Sequence, residues 1–199
     1  MPTGRGAELR AADLAPAERR AALDAIVEET RRAWARGDRP EVLTVDNACD
    51  GPYLALRHGD PERARGGEDP RMLALLRTNG GNSSGEGIAS ISWDGTVLPD
   101  QFWRSRPVGN VRERPFSAIW GDPPPGSLLD RLRRRRELLP ETCRRCRWLD
   151  VCNGNFRARG EAATGDPWGF DPSCYLTAAE RTAETSAGRS GEAETEGKT

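Results

Sequence analysis

The chain has 199 residues, a formal net charge of −1 and 31% charged against 36% hydrophobic residues. That length suits one domain with a small extension, and the near-neutral charge excludes a partner recognised by charge alone, such as nucleic acid. No stretch approaches the ~18 consecutive apolar residues of a membrane-spanning helix, and residues 1–10 show no apolar signal region, so a reducing cytoplasm is expected, without membrane contact.

In chain order, residues 1–13 are polar and rich in Gly and Ala, which predicts disorder. Pro16 suits a first helical position, and Ala17 to Arg36 then reads as a helix with Leu23, Ile26, Val27 and Trp34 near one face. Glu41 to Asp46 is short, apolar and β-branched, and reads as a strand. Residues 48–69 give no clear pattern, and Pro70 to Arg77 reads as a short helix. Asn79-Gly-Gly-Asn-Ser-Ser-Gly85 is a run of turn formers: a loop, or a backbone-rich surface beside a ligand, since glycines allow close approach. Asp94-Gly95 between Ile88–Trp93 and Thr96–Leu98 predicts a hairpin. Phe116 to Trp120 reads as a helical turn, Leu128 to Leu139 as a helix, and Thr177 as the cap of a last helix; residues 184–199 form a polar tail expected to be disordered. Trp93, Phe102, Trp103, Trp120, Trp148 and Trp168 are expected to supply most of the core.

The chemistry concentrates between Cys143 and Cys174. Of five cysteines, four stand here as Cys143-x2-Cys146-x5-Cys152 with Cys174 further on. A Cys-x-x-Cys pair places two sulfurs at one turn, and four thiolates at one point suit tetrahedral zinc or an iron–sulfur cluster; from spacing alone zinc, cluster and disulfides all stay open. The wide gap from Cys152 to Cys174 departs from the repeated pair of zinc knuckles and moves weight toward a cluster. Cys49 reads as a small semi-buried residue rather than a fifth ligand, and His58, the one histidine, as a surface residue. The basic run Arg131–Arg136 reads first as a solvated helix face and second as a clamp for carboxylates.

These residues, with Thr44-Val-Asp-Asn47, Asn79–Gly85, Ile91-Ser-Trp-Asp-Gly95, Asp100-Gln-Phe-Trp103, Gly109–Phe116, Arg147–Arg157 and Asp171-Pro-Ser-Cys-Tyr-Leu176, resemble the SPASM domains that extend radical S-adenosylmethionine (radical SAM) enzymes, in their tetrapyrrole-modifying branch. The resemblance implies an α+β fold: the partial end of a βα barrel over residues 14–80, then a small SPASM-type domain over 81–183 with a β-hairpin and short helices around a cysteine-ligated cluster. It implies one [4Fe–4S] cluster on Cys143, Cys146, Cys152 and Cys174. A second auxiliary cluster would need cysteines where Asp100 and Phe156 stand. The Cys-x-x-x-Cys-x-x-Cys triplet that binds S-adenosylmethionine is not in this sequence. The expected function is therefore an accessory half in a split or truncated radical SAM enzyme, with S-adenosylmethionine supplied through a core subunit and a tetrapyrrole or peptide as substrate. Arg104 and Arg112 are the candidate substrate contacts. A zinc-stapled binding module without redox role is the alternative.

Overall fold

The computed structural model describes residues 6, 8, 12–59, 62 and 68–182. The tail expected to be disordered over 184–199, and most of residues 1–11, lie outside the described residues.

Helix α1, Pro16–Ala35, starts as its sequence dictates: Pro16 takes the first position and Glu18 accepts a hydrogen bond from the Ala15 N–H at 2.7 Å. Of its apolar face only Leu23 is fully buried, while Trp34 is half exposed. Helix α2, Asp50–His58, arises where the sequence gave no clear pattern. Pro52 sits in the first turn, where its missing N–H leaves no helical bond unmade. Tyr53 on α2 donates to Asp24 on α1, and His58 meets the same carboxylate at 2.7 Å. His58 is thus half-buried and paired, not the surface residue expected. Helix α3, Pro70–Asn79, is capped by the Asp69 carboxylate at its start and by left-handed Gly80 at its end.

The hairpin forms as predicted, with Ser90–Ile91 (β1) antiparallel to Thr96–Leu98 (β2) and Gly95 at φ +88°; Gly109–Asn110 (β3) adds a third antiparallel strand. Trp93 lies at the turn and is 83% exposed, a correction to its place in the expected core. Phe116–Trp120 (α4) is helical as expected. The helix expected over Leu128–Leu139 is two: Leu128–Arg133 (α5) and Arg135–Leu138 (α6), broken at Arg134 with φ −111° and ψ 23°. Short helices Glu141–Arg144 (α7), Leu149–Cys152 (α8), Arg157–Thr164 (α9) and Ala178–Thr182 (α10) complete the chain, the last capped by Thr177, whose hydroxyl accepts from the Glu180 N–H.

The strand expected at Glu41–Asp46 is absent: these residues make no ladder with any described residue, and Leu43 and Val45 are 86% and 71% exposed. Apolar, β-branched composition specifies a strand only where another edge lies alongside. The mixture of helices with one small antiparallel sheet is α+β.

Two apolar cores hold the molecule. In one, Leu23, Tyr53 and Ala55 meet Trp148, Val151, Tyr175 and Leu176, with Cys146 and Cys174 packed against them. In the other, Trp103, Leu132, Ala158 and Trp168 pack together. The first core wraps the cysteine segment, so the helices before residue 80 and the residues after 140 share one interior.

Candidate metal centre

Cys143, Cys146, Cys152 and Cys174 line a single cavity, closed by Cys49, Gly154, Phe170, Leu176 and Arg181 among others, with almost no polar surface. Each cysteine is placed by local backbone rules. Cys143 lies on α7, started by Pro140, whose carbonyl accepts from the Cys143 N–H at 2.8 Å. Cys146 follows in a tight turn, its N–H bonded to the Cys143 carbonyl at 3.1 Å. Cys152 ends α8, and the chain then passes through three successive left-handed residues, Asn153, Gly154 and Asn155 (φ 50°, 79° and 57°). Asn and Gly are the residues that tolerate this region. Cys174 sits where Asp171 organises the loop, accepting from the N–H groups of Phe156 and Ser173.

A polar network fixes these loops to one another. Asn155 accepts from the Ala48 N–H at 3.0 Å and donates to Asn47 at 2.8 Å. Arg159 pairs with Asp171 at 2.7 and 2.9 Å and donates to the Asp46 carbonyl at 2.8 Å. Asn153 donates to the Asn82 carbonyl at 2.8 Å, and the Asn82 N–H reaches the Cys152 carbonyl at 3.3 Å. Gly81 presses on the same carbonyl: a Cβ there would come within 2.6 Å of it. The turn-former run thus packs against the cysteine loop, and it also lines an adjacent cleft of about 390 Å³ with Asp100 and Phe156.

The thiols sit among donors suited to anionic sulfur. The main-chain N–H two residues after Cys146, Cys152 and Cys174 (that of Trp148, Gly154 and Leu176) favours the charged form of each thiol. Burial acts against this: it pushes Cys152 up to about 12 and Cys143 up to about 11, and raises Cys146. Cys174 moves the other way, because the buried Cys49 thiol donates to its sulfur at 3.9 Å. The same hydrogen bond, with burial, holds Cys49 protonated.

Among the described residues, no three His, Cys, Asp or Glu side chains are gathered tightly enough for one metal ion. Tetrahedral zinc at ~2.3 Å from each sulfur requires sulfurs ~3.8 Å apart. Four half-buried thiols round one largely apolar cavity, with main-chain N–H groups and cations acting on them, suit an anionic centre. The donor set is all sulfur, as iron–sulfur clusters require, so the residues present fit such a cluster.

The other expected site residues lie elsewhere. Arg104 stacks on exposed Trp93 at 5.3 Å, and Arg112 donates to the Trp93 carbonyl at 3.2 Å; neither lines the cysteine cavity. The basic run is neither one solvated face nor one clamp. Arg131 covers Trp168, Arg134 pairs with Asp130, Arg136 pairs with Asp150, and Arg135 is fully buried, donating to Asn82, Leu132 and Ser84. Asp100 is a buried cap, accepting from the N–H groups of Phe102 and Trp103 and from the Ser84 hydroxyl. Sequence reasoning missed Cys49 as a wall of the cavity, and Arg157 and Arg181 as the cations beside it. Only the scarcity of cysteine pointed to the first.

Comparison with known proteins agrees with this chemistry. Residues 83–147 match SPASM, an iron–sulfur cluster-binding domain; the match includes Cys143 and Cys146. The chain is 51% identical over 179 residues to the Fe-coproporphyrin III synthase of Methanosarcina barkeri, which is 87% of this chain and 43% of that protein. It is 39% identical over 182 residues to the pre-heme d1 synthase of Dinoroseobacter shibae, 89% of this chain and 43% of that protein. A third relative, the AdoMet-dependent heme synthase of Methanosarcina barkeri, is 38% identical over 92 residues, 45% of this chain and 24% of that protein. The chain thus spans less than half the length of each of these relatives. No solved structure matches it. Among the described residues no helix is long and apolar enough to cross a membrane.

Proposed function

Because the chain carries the SPASM domain of the tetrapyrrole-modifying radical SAM branch, we propose that it holds one [4Fe–4S] cluster on Cys143, Cys146, Cys152 and Cys174 as the accessory half of such an enzyme. The core that cleaves S-adenosylmethionine is carried elsewhere, in a longer form of the protein or on a second chain, and the substrate is a tetrapyrrole. The observation that carries this reading is the convergence of four thiols on one apolar cavity with N–H groups favouring their charged forms. The names of the relatives, a coproporphyrin synthase and a pre-heme d1 synthase, support the substrate class. One cluster rather than two is supported by the cleft beside Asp100 and Phe156, which no cysteine lines.

When bound, such a cluster supplies one-electron transfer beside the core's radical chemistry. The chain's own residues prepare the site. Cys143, Cys146, Cys152 and Cys174 release protons on metal binding, so assembly is favoured by rising pH. The N–H groups of Trp148, Gly154 and Leu176 favour the thiolate forms, and Phe170 and Leu176 supply apolar wall beside the sulfurs. Helix α1 and residues 41–46 form the tail end of the core's barrel, and the bare apolar side chains of Val42, Leu43 and Val45 dock against it.

Anaerobic reconstitution with iron and sulfide tests the reading. The expected result is four irons and four sulfides per chain, a broad visible absorption and an electron paramagnetic resonance signal on reduction. Stoichiometric zinc with no sulfide would replace the cluster by a structural ion without redox role.

A further inference from the structure

Arg157 is fully buried, and its guanidinium touches only carbonyl oxygens: Gly169 at 2.8 Å, Pro167 at 3.4 Å and Gly154. Its Nε has no hydrogen-bond partner among the described residues. No described carboxylate lies within ion-pair distance of it; the buried carboxylate that acts on it most, Asp171, is engaged by Nε and Nη2 of Arg159. Arginine does not lose its proton in proteins. Asp171 acts on Arg157 only from beyond ion-pair distance; a buried cation without a direct ion-pair partner is costly, so a further anion beside it would be stabilised. Gly154, whose carbonyl Arg157 holds, is a wall of the cysteine cavity, and the charge of Arg157 acts directly on Cys143 and Cys152.

We propose that Arg157 is the built-in counter-charge of the cluster, a positioning residue that braces the Gly154 wall and raises the cluster's reduction potential. The inference rests on the cluster assignment above. Four thiolates make the centre anionic, and one-electron reduction adds a further negative charge. A fixed buried cation stabilises the reduced form more than the oxidised form, and net charge near the cluster is one of the protein's means of setting its potential. Arg181, a half-buried lining residue anchored to the Leu176 carbonyl at 2.5 Å, is more solvated and contributes less.

The test compares the reconstituted wild-type chain with Arg157→Met and Arg157→Lys by redox titration and by thermal melting with and without the cluster. Arg157→Met is expected to lower the equilibrium constant for reduction at least tenfold, about 59 mV for one electron, while Arg157→Lys stays closer to wild type. The Met variant should also lose more stability when loaded than when cluster-free, which a packing role alone would not produce. An unchanged potential, equal shifts in both variants, or equal losses in loaded and cluster-free protein would overturn the proposal while leaving the cluster reading intact. A wild-type chain that assembles no cluster would overturn both. If the Met variant keeps no cluster, chelator-driven iron loss from Arg157→Gln and Arg157→Lys decides: faster loss from Gln supports the counter-charge, and equal rates overturn it.

Discussion

At the scale of single residues, the cage distinguishes its ligands from its neighbour. Cys49 and Cys174 are in sulfur contact, yet Cys49 keeps its proton and donates to the other. Cys49→Ser is therefore expected to retain four irons per chain and Cys152→Ser to retain none, as measured by iron analysis after anaerobic desalting. Gly81 makes a different demand. It sits at φ +70°, and a Cβ would fall within 2.4 Å of the Cys152 carbonyl carbon. Gly81→Ala should destabilise the cluster-free protein by ~1–3 kcal/mol from backbone conformation, with the clash added, and urea unfolding measures it. That these four cysteines would face one cavity was legible because cysteine is scarce and its spacing is chemical. Arg135 and Arg157 were not: nothing in a run of arginines says which one the chain will bury, because burial depends on carbonyls contributed from distant loops.

At the scale of elements, the ends of the described chain are tied by charge. Arg20 on α1 pairs with Glu180 on α10 at 2.6 Å and also donates to the Tyr175 carbonyl, next to Cys174. The bond to Arg20 holds the Glu180 carboxyl down at about 2, against an ordinary value near ~4.3. A depressed carboxylate stabilises the fold above its unfolded value and loses that contribution as pH falls through the folded one. Cluster-free wild type should thus exceed Arg20→Met by about 1–2 kcal/mol near neutrality, allowing for the pair's partial exposure, and the gap should narrow between pH ~4 and ~2. It should not close, since the bond to the Tyr175 carbonyl does not titrate. Thermal melts across that range provide the measurement. Helices and the hairpin with local signals, Pro16, Asp69-Pro70 and Asp94-Gly95, were readable from sequence. Helix α2 is only nine residues long and carries Gly51 and Pro52 in its first turn, so no periodic pattern announced it, and apolar composition alone did not make 41–46 a strand, since no described strand lies alongside.

At the scale of the whole molecule, one apolar core joins α1 and α2 to the cysteine segment, while Val42, Leu43 and Val45 stand bare on the outside. Bare apolar backbone of this kind associates with other chains. Leu43→Lys with Val45→Thr should lower self-association in light scattering without changing iron content, and should weaken binding to a core subunit. The chemical class of the centre was legible in the cysteine spacing and the resemblance, whereas the proximity of Cys49, the network through Asn47, Asn155 and Asp171, and the buried cation emerge only when the distant loops are folded together. The central claim is that four half-buried thiols hold a single cubane. Mössbauer spectroscopy of the anaerobically reconstituted protein tests it most directly: the account predicts that all bound iron gives the spectrum of one [4Fe–4S] centre, lost in Cys152→Ser. Iron held singly by four thiolates, or a chain that takes zinc and no iron, would contradict it.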